Sequence, residues 1–272
     1  MDPAEREQFC MTSISFVNQL YGHEELKRAQ RKDARFVNTG LIATLSGAVA
    51  SDTLEDGRVL SGVGGQYNFV AMAHALEDGR SILMINSTRT EHGKVLSNVC
   101  FSYGSTTIPR QLRDIVVTEY GIADLRGRTD QEVATALIEI ADSRFQDDLL
   151  EEAKRAGKVA NDYRIPETCR GNRPERLEAL LAPFRARGLF EQFPFGTDFT
   201  AEEVVLGKAL TTLKEKGIRN LLPRPRDLRK AIRPSDRSRP YLERMELDAP
   251  RNARERLLQR VVLYALSAVD AI

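Results

Sequence analysis

Three glycines fall within four positions of Leu60-Ser61-Gly62-Val63-Gly64-Gly65-Gln66-Tyr67-Asn68-Phe69, and this stretch constrains the chain more than any other. β-forming residues precede it, in Thr44 to Ala50 and Arg58 to Leu60, and the apolar, helix-forming run Val70 to Leu76 follows. The order predicts a strand, a glycine loop and a helix N-terminus. Glycine permits positive φ and close approach by a ligand. The unpaired N–H groups of a helix start suit an anion or a developing oxyanion. A tight turn between two core elements accounts for the same residues. The spacing does not meet G-x-G-x-x-G and no Lys-Ser/Thr follows the glycines, so no dinucleotide or nucleoside-triphosphate fingerprint is present.

The flanking pattern places the loop in an α/β domain. Met11 to Val17 reads as a short extended or turn segment. Glu24 to Lys32 reads as a helix with Leu26 as its main apolar contact, and Ala34 to Gly40 as a buried strand. Asp56-Gly57 is the pair expected of a tight turn. Ser81 to Asn86, Val95 to Phe101 and Ile115 to Thr118 read as strands, Thr88 to Lys94 as a polar loop, and Ser102 to Pro109 as a loop rich in hydroxyls. Thr129 with Glu132 forms a capping-box pattern ahead of a helix through Val133, Leu137 and Ile140, and a second helix follows from Arg144 to Ala156. The repeated order predicts an α/β domain over residues 1–165, an open mixed sheet with flanking helices. Pairing is mixed because several connections are too short for a crossover.

Residues 166–272 read as a mostly helical extension, with helices over Glu175 to Leu189, Thr200 to Lys216 and Arg251 to Ile272. Phe190, Phe193, Phe195 and Phe199 are expected to pack a loop onto the core. Pro223, Pro225, Pro234 and Pro240, interleaved with arginines, form a basic linker read as a solvated face.

Composition narrows the chemistry. With 42% hydrophobic and 29% charged residues the chain fits a soluble globular protein, and a formal charge of +1 gives no electrostatic case for nucleic acid. Cys10, Cys100 and Cys169 show no C-x-x-C spacing, and His23, His74 and His92 show no metal-like spacing, so no metal is expected. No apolar run reaches membrane-spanning length, so no membrane partner is expected and the cytoplasm is the expected address. His74 reads as a packed or capping histidine rather than a general base, and neither Cys10 nor Cys100 as a nucleophile. Glu119 follows a β-run at the place where α/β proteins set ligand-facing residues. Pairing with Arg126, or capping a loop, is its plainer role. Gln66 and Asn68 carry neutral amides suited to positioning a carbonyl or amide.

Gly62 to Phe69, taken with Val117-Thr118-Glu119-Tyr120-Gly121-Ile122-Ala123-Asp124-Leu125-Arg126-Gly127, closely resembles the acetyl-CoA hydrolase/CoA-transferase family, in its C-terminal half. Asp142 to Gln146 and the Leu149-Leu150…Ala153-Lys154…Gly157 stretch resemble it too, so the likeness covers about residues 10 to 165. The resemblance implies the C-terminal half of a class I CoA-transferase fold, coenzyme A as acyl-CoA substrate, a small carboxylate as second substrate, and an N-terminal-half protein or a second copy of the chain as partner. In the family a glutamate attacks the acyl-CoA thioester to give an acyl-glutamyl anhydride, which is passed to CoA transfer or to water. By resemblance Gly62, Gly64, Gly65, Gln66, Asn68 and Glu119 are the cofactor-binding candidates, and the backbone of Gly64 and Gly65 the candidate oxyanion donors. The family often has aspartate where Asn68 stands. The nucleophilic glutamate belongs upstream of the position matching Met11. Glu24, Glu25, Glu55 and Glu119 do not match it, so the catalytic residue is unassigned. The expected consequence is a chain inactive by itself; a non-catalytic CoA-binding or assembly protein is the alternative.

Overall fold

The computed structural model describes residues 2–215 and 234–271. The residues divide into two compact units, Met1–Pro183 and Phe184–Ile272.

In the first unit, three short helices, α1 (Pro3–Arg6), α2 (Ile14–Asn18) and α3 (Glu24–Gln30), lead into strand β1 (Arg35–Thr39). Strands β2 (Ile42–Thr44) and β3 (Val49–Ala50), the glycine loop and helix α4 (Gln66–Ala75) follow. Then come β4 (Arg80–Met84), β5 (Thr88–Glu91), β6 (Lys94–Ser97), β7 (Val99–Cys100), β8 (Ile115–Thr118) and β9 (Gly121–Asp124), and helices α5 (Asp130–Glu139), α6 (Gln146–Arg155) and α7 (Pro174–Arg185), the last crossing the unit boundary.

The main sheet runs β1-β4-β8-β9. β1, β4 and β8 are parallel, and β9 returns antiparallel through the Glu119-Tyr120 turn. A second sheet, β3-β2-β7, also mixes the two pairings, and β5-β6 is a separate hairpin. The mixed α/β architecture agrees with the sequence reading. Helix α4 packs on β1 and β4 and α5 on β9. The core gathers Val70 of α4, Leu83, Val116 and Ala123 of the main sheet, Val49 and Val99 of the second, and Val133, Leu137 and Ile138 of α5. Thr129 caps α5 reciprocally with Glu132, as the sequence predicts.

Several local expectations are corrected. Residues 14–18 are helical, not extended. In α3 the buried side chain is Lys27 while Leu26 is exposed. The Lys27 ammonium turns inward because it donates to the carbonyls of Gln19 at 3.0 Å and Tyr21 at 2.7 Å. β1 is only half buried, since alternate residues leave the core side. The expected polar loop at 88–94 is half of the β5–β6 hairpin, turned at His92 and Gly93, both with positive φ. The expected strand 95–101 is split between β6 and β7.

The second unit is helical in its described residues: α8 (Ala201–Glu215), α9 (Arg239–Arg244) and α10 (Ala253–Ser267) enclose Leu206, Leu213, Leu242, Val262, Leu263 and Leu266. Phe190, Phe195 and Phe199 are exposed and join no buried cluster of the described residues, contrary to the sequence reading; Phe193 meets Phe199 edge to face. Of the basic linker, Pro223, Pro225 and Arg224 lie outside the described residues.

Candidate functional site

The glycine loop is set by hydrogen bonds on both sides. Leu60 N–H donates to the Asp52 carbonyl at 2.7 Å, closing a small turn through the Thr53–Val59 bridge. The Asp52 carboxylate accepts from the Thr107 hydroxyl of the hydroxyl-rich loop, and that bond, with a second from Thr53, holds it below the usual carboxylate range. On the far side the chain enters α4 at Gly65.

Gly64 and Gly65 are required for different reasons. Gly64 sits at φ +62°, in the left-handed region that costs other residues energy. Gly65 is the N-cap of α4 with ordinary φ, but a Cβ there would stand 2.8 Å from the Phe69 ring and 3.1 Å from Asn18 Nδ2. Gly62 faces open space. No side chain caps α4, and its first intrahelical bond is from Phe69 N–H to the Gly65 carbonyl. The N–H groups of Gln66, Tyr67 and Asn68 therefore lie ahead of the helix ladder, in the arrangement that favours negative charge.

Gln66 is buried, and its Nε2 donates to the Thr39 carbonyl at 3.2 Å, tying the helix start to the carboxyl end of β1. Asn68 lines a groove of about 360 Å3 with Asn18, Gln19, Tyr21 and Arg28. Two positions apart on a helix is a rotation of about 200°, so Gln66 and Asn68 point to opposite sides.

Glu119 lies at the carboxyl end of β8. Its carboxylate accepts from Ser87 N–H at 2.8 Å and from the Ser87 hydroxyl at 2.6 Å. Both oxygens are thereby committed to the loop after β4. The expected partner Arg126 is instead bound to the buried Asp114 at 2.6 Å, which also holds Arg80. That lock sits at the opposite, amino end of the strands. Glu119 also borders a small cavity of about 170 Å3 with Tyr120, Asn172, Arg173 and Arg176. Gln66, through Thr39, and Glu119, through Ser87, thus mark the same edge of the parallel sheet, where open α/β sheets place ligands.

A cluster that the sequence reading left unassigned adjoins this edge. The Tyr120 hydroxyl donates to Asp142 at 3.1 Å, and Asp142 accepts from Arg144 through Nε at 2.8 Å and Nη2 at 2.7 Å. Burial, and then the Asp142 charge, pushes the Tyr120 phenol up. For Asp142, burial acts upward, but the Arg144 bonds outweigh it and hold the carboxyl below its ordinary value. The residues belong to two separate stretches of the family resemblance, and only that shared membership hinted at their meeting.

His74 is packed as expected. Its Nε2 lies 3.0 Å from the Leu112 carbonyl, and burial holds its pKa down. Burial pushes the Cys100 thiol up to about 12, unsuited to a nucleophile at neutral pH. No group of three or more metal-ligating side chains is found among the described residues, and none of their helices is long and apolar enough to cross a membrane.

Residues 2–153 match the acetyl-CoA hydrolase/transferase C-terminal domain. A probable butyrate:acetyl-CoA coenzyme A-transferase of Syntrophomonas wolfei is 37% identical over 130 residues, covering 47% of this chain and 29% of that protein. A 4-hydroxybutyrate coenzyme A transferase of Clostridium kluyveri is 36% identical over 121 residues, covering 44% of this chain and 28% of that protein. RipA from Yersinia pestis, a solved structure, is 34% identical at a TM-score of 0.45, covering 53% of this chain and 31% of that one. The chain thus spans under a third of the length of these relatives. With more than half of its residues inside the matched domain and the glycine loop within that span, the chain belongs to the acetyl-CoA hydrolase/transferase C-terminal domain family.

Proposed function

We propose that this chain supplies one wall of an acyl-CoA thioester site, as the C-terminal portion of an acyl-CoA hydrolase or CoA-transferase. The observation that carries the reading is the uncapped start of α4 behind Gly64 and Gly65, at the carboxyl edge of the parallel strands. Its main-chain N–H groups offer a preorganised place for a thioester oxygen that becomes negative in the transition state. Gln66 acts indirectly, fixing the helix start to β1. Glu119 acts as a clamp on the Ser87 loop, since both its oxygens are occupied. The attacking carboxylate comes from outside the residues assigned here, and the chain alone does not turn over acyl-CoA. The second substrate is a small carboxylate, and the setting is the cytoplasm.

Calorimetric titration with coenzyme A and acetyl-CoA tests this. The intact chain gives measurable heat at millimolar ligand. Gly64→Val, whose branched side chain disfavours positive φ, loses that heat while keeping its circular dichroism. Absence of heat in the intact chain, or unchanged affinity in Gly64→Val, refutes the reading. Turnover of acetyl-CoA by the purified chain that disappears in Glu119→Gln refutes the clamp assignment.

A further inference from the structure

Strands β2 and β7 of the second sheet run parallel, and their ladder stops early. Leu45 N–H donates to the Cys100 carbonyl at 2.9 Å. The next bond of that register, from Ser102 N–H to the Leu45 carbonyl, is not made, and a cavity of about 250 Å3 opens beyond the carboxyl ends of the two strands. It shares no lining residue with the glycine loop, with Gln66 or with Glu119. The carboxyl ends of parallel strands are where α/β sheets place ligands.

The wall and the mouth of this cavity differ in chemistry. Leu45, Ala48, Phe101 and Ala134 give it an apolar wall, with Leu45 and Ala134 buried. The Thr44 hydroxyl donates to the Ala48 carbonyl at 3.1 Å, so in its 2.9 Å contact with Ser46 the Ser46 hydroxyl is the donor, and both protons are spent. At the mouth, the hydroxyls of Ser102, Tyr103 and Thr106 and the Lys158 ammonium bond to nothing among the described residues. Lys158 is set there by the end of α6: Gly157 turns at φ +65°, and Lys158 N–H returns to the Ala153 carbonyl at 2.9 Å. Arg110, the other cation lining the cavity, is neutralised by Asp130 at 3.0 Å. An unpaired positive charge and free donors beside an apolar wall suit an anion with an apolar body. Size narrows it further, because a dry apolar cavity of about 150 Å3 already holds benzene.

We propose that this cavity is a binding site for an aromatic monocarboxylate. The ring lies against Leu45 and the Phe101 and Tyr103 rings. The carboxylate takes the Lys158 ammonium and the hydroxyls at the mouth. An acetate-sized acid would leave the apolar wall uncovered, so the site is separate from the thioester wall in its residues and in its ligand.

Calorimetric titration of the full chain with benzoate tests this. One benzoate binds per chain, and neither acetate nor saturating coenzyme A displaces it. Lys158→Met keeps the apolar stem and removes the charge. Benzoate affinity then falls at least about tenfold, the lower end of the worth of a hydrogen bond to a charged group. Benzamide, which is neutral, binds both proteins equally. Lys158 is exposed, so circular dichroism is unchanged. Independently, magnetisation transfer from the benzoate ring reaches the Phe101 ring and the Ala134 methyl group. No benzoate binding at millimolar concentration, equal benzoate affinity in Lys158→Met, displacement by acetate or coenzyme A, or transfer to other residues overturns the proposal. A chain that binds benzoate in this way but binds no coenzyme A would instead refute the functional reading alone.

Discussion

Gly65 and Gly62 separate two uses of glycine within one loop. At Gly65 any Cβ meets the Phe69 ring and Asn18, whereas at Gly62 it meets nothing and φ is ordinary. Gly65→Ala should therefore cost about 1–3 kcal/mol, the usual range for forcing an extra carbon into a packed site. Gly62→Ala should leave stability within about 0.5 kcal/mol. Urea denaturation of both variants checks the contrast, and equal losses would show that the Phe69 contact relaxes freely. Asp142 gives a pH-dependent counterpart. Its carboxyl is held below the ordinary value of 3.8 through Arg144 and Tyr120. A depressed carboxylate contributes stability that is fully present above its unfolded pKa and lost as pH falls through its folded pKa. The loss therefore belongs to the acid range below 3.8. Asp142→Asn should lower the melting temperature at neutral pH and flatten its fall on acidification, read from melting curves between about pH 6 and about pH 3. A parallel fall in both proteins would place the acid-sensitive group elsewhere.

At the scale of elements, what the sequence showed and what it hid divide by range. The Thr129–Glu132 cap, the α4 start and the β8 strand rest on neighbours a few residues away, and all were legible. The hairpin at residues 88–97 was obscured because its turn, His92-Gly93, lacks the Asn-Gly or Asp-Gly signature, although both residues adopt positive φ. In the candidate site, the position of the glycines ahead of a helix start was readable from residue order. The Tyr120–Asp142–Arg144 cluster was not, because it joins the β8–β9 turn to the segment between α5 and α6. Lys27 shows the same limit within a single helix. Helical spacing favours Leu26 for the interior, but the carbonyls between α2 and α3 lie within reach of the Lys27 ammonium and recruit it instead. Lys27→Met keeps the length and removes the donor, leaving those carbonyls short of partners at an expected cost of about 1–3 kcal/mol. Amide hydrogen exchange should accelerate in residues 15–24 and stay unchanged in the main sheet. Uniform acceleration would mean that Lys27 supports the whole unit rather than this segment.

For the whole molecule, the cores determine what each unit owes the other. The buried cluster of the first unit runs from Ala43 to Ile165 with Cys169 packed against it, and its members among the described residues all belong to that unit. Its last strap is held by Asn172, whose Nδ2 donates to the Glu139 carbonyl at 2.7 Å and the Ala141 carbonyl at 3.0 Å. The second unit has its own cluster on α8, α9 and α10. Separate cores of this kind make independent folding the physical expectation. A chain ending at Gly188 keeps α7 entire and should retain the melting transition assigned to the first unit within about 2 °C, since it keeps every residue of that unit's buried cluster. Because the glycine loop and the carboxyl edge of the main sheet lie inside this piece, its coenzyme A affinity should match that of the full chain within about twofold. A melting temperature lower by about 5 °C or more would show that the helical unit contributes to the stability of the first. An unchanged melting temperature with coenzyme A affinity lost would place part of the ligand site on the helical unit, and the thioester wall would then extend beyond the family domain.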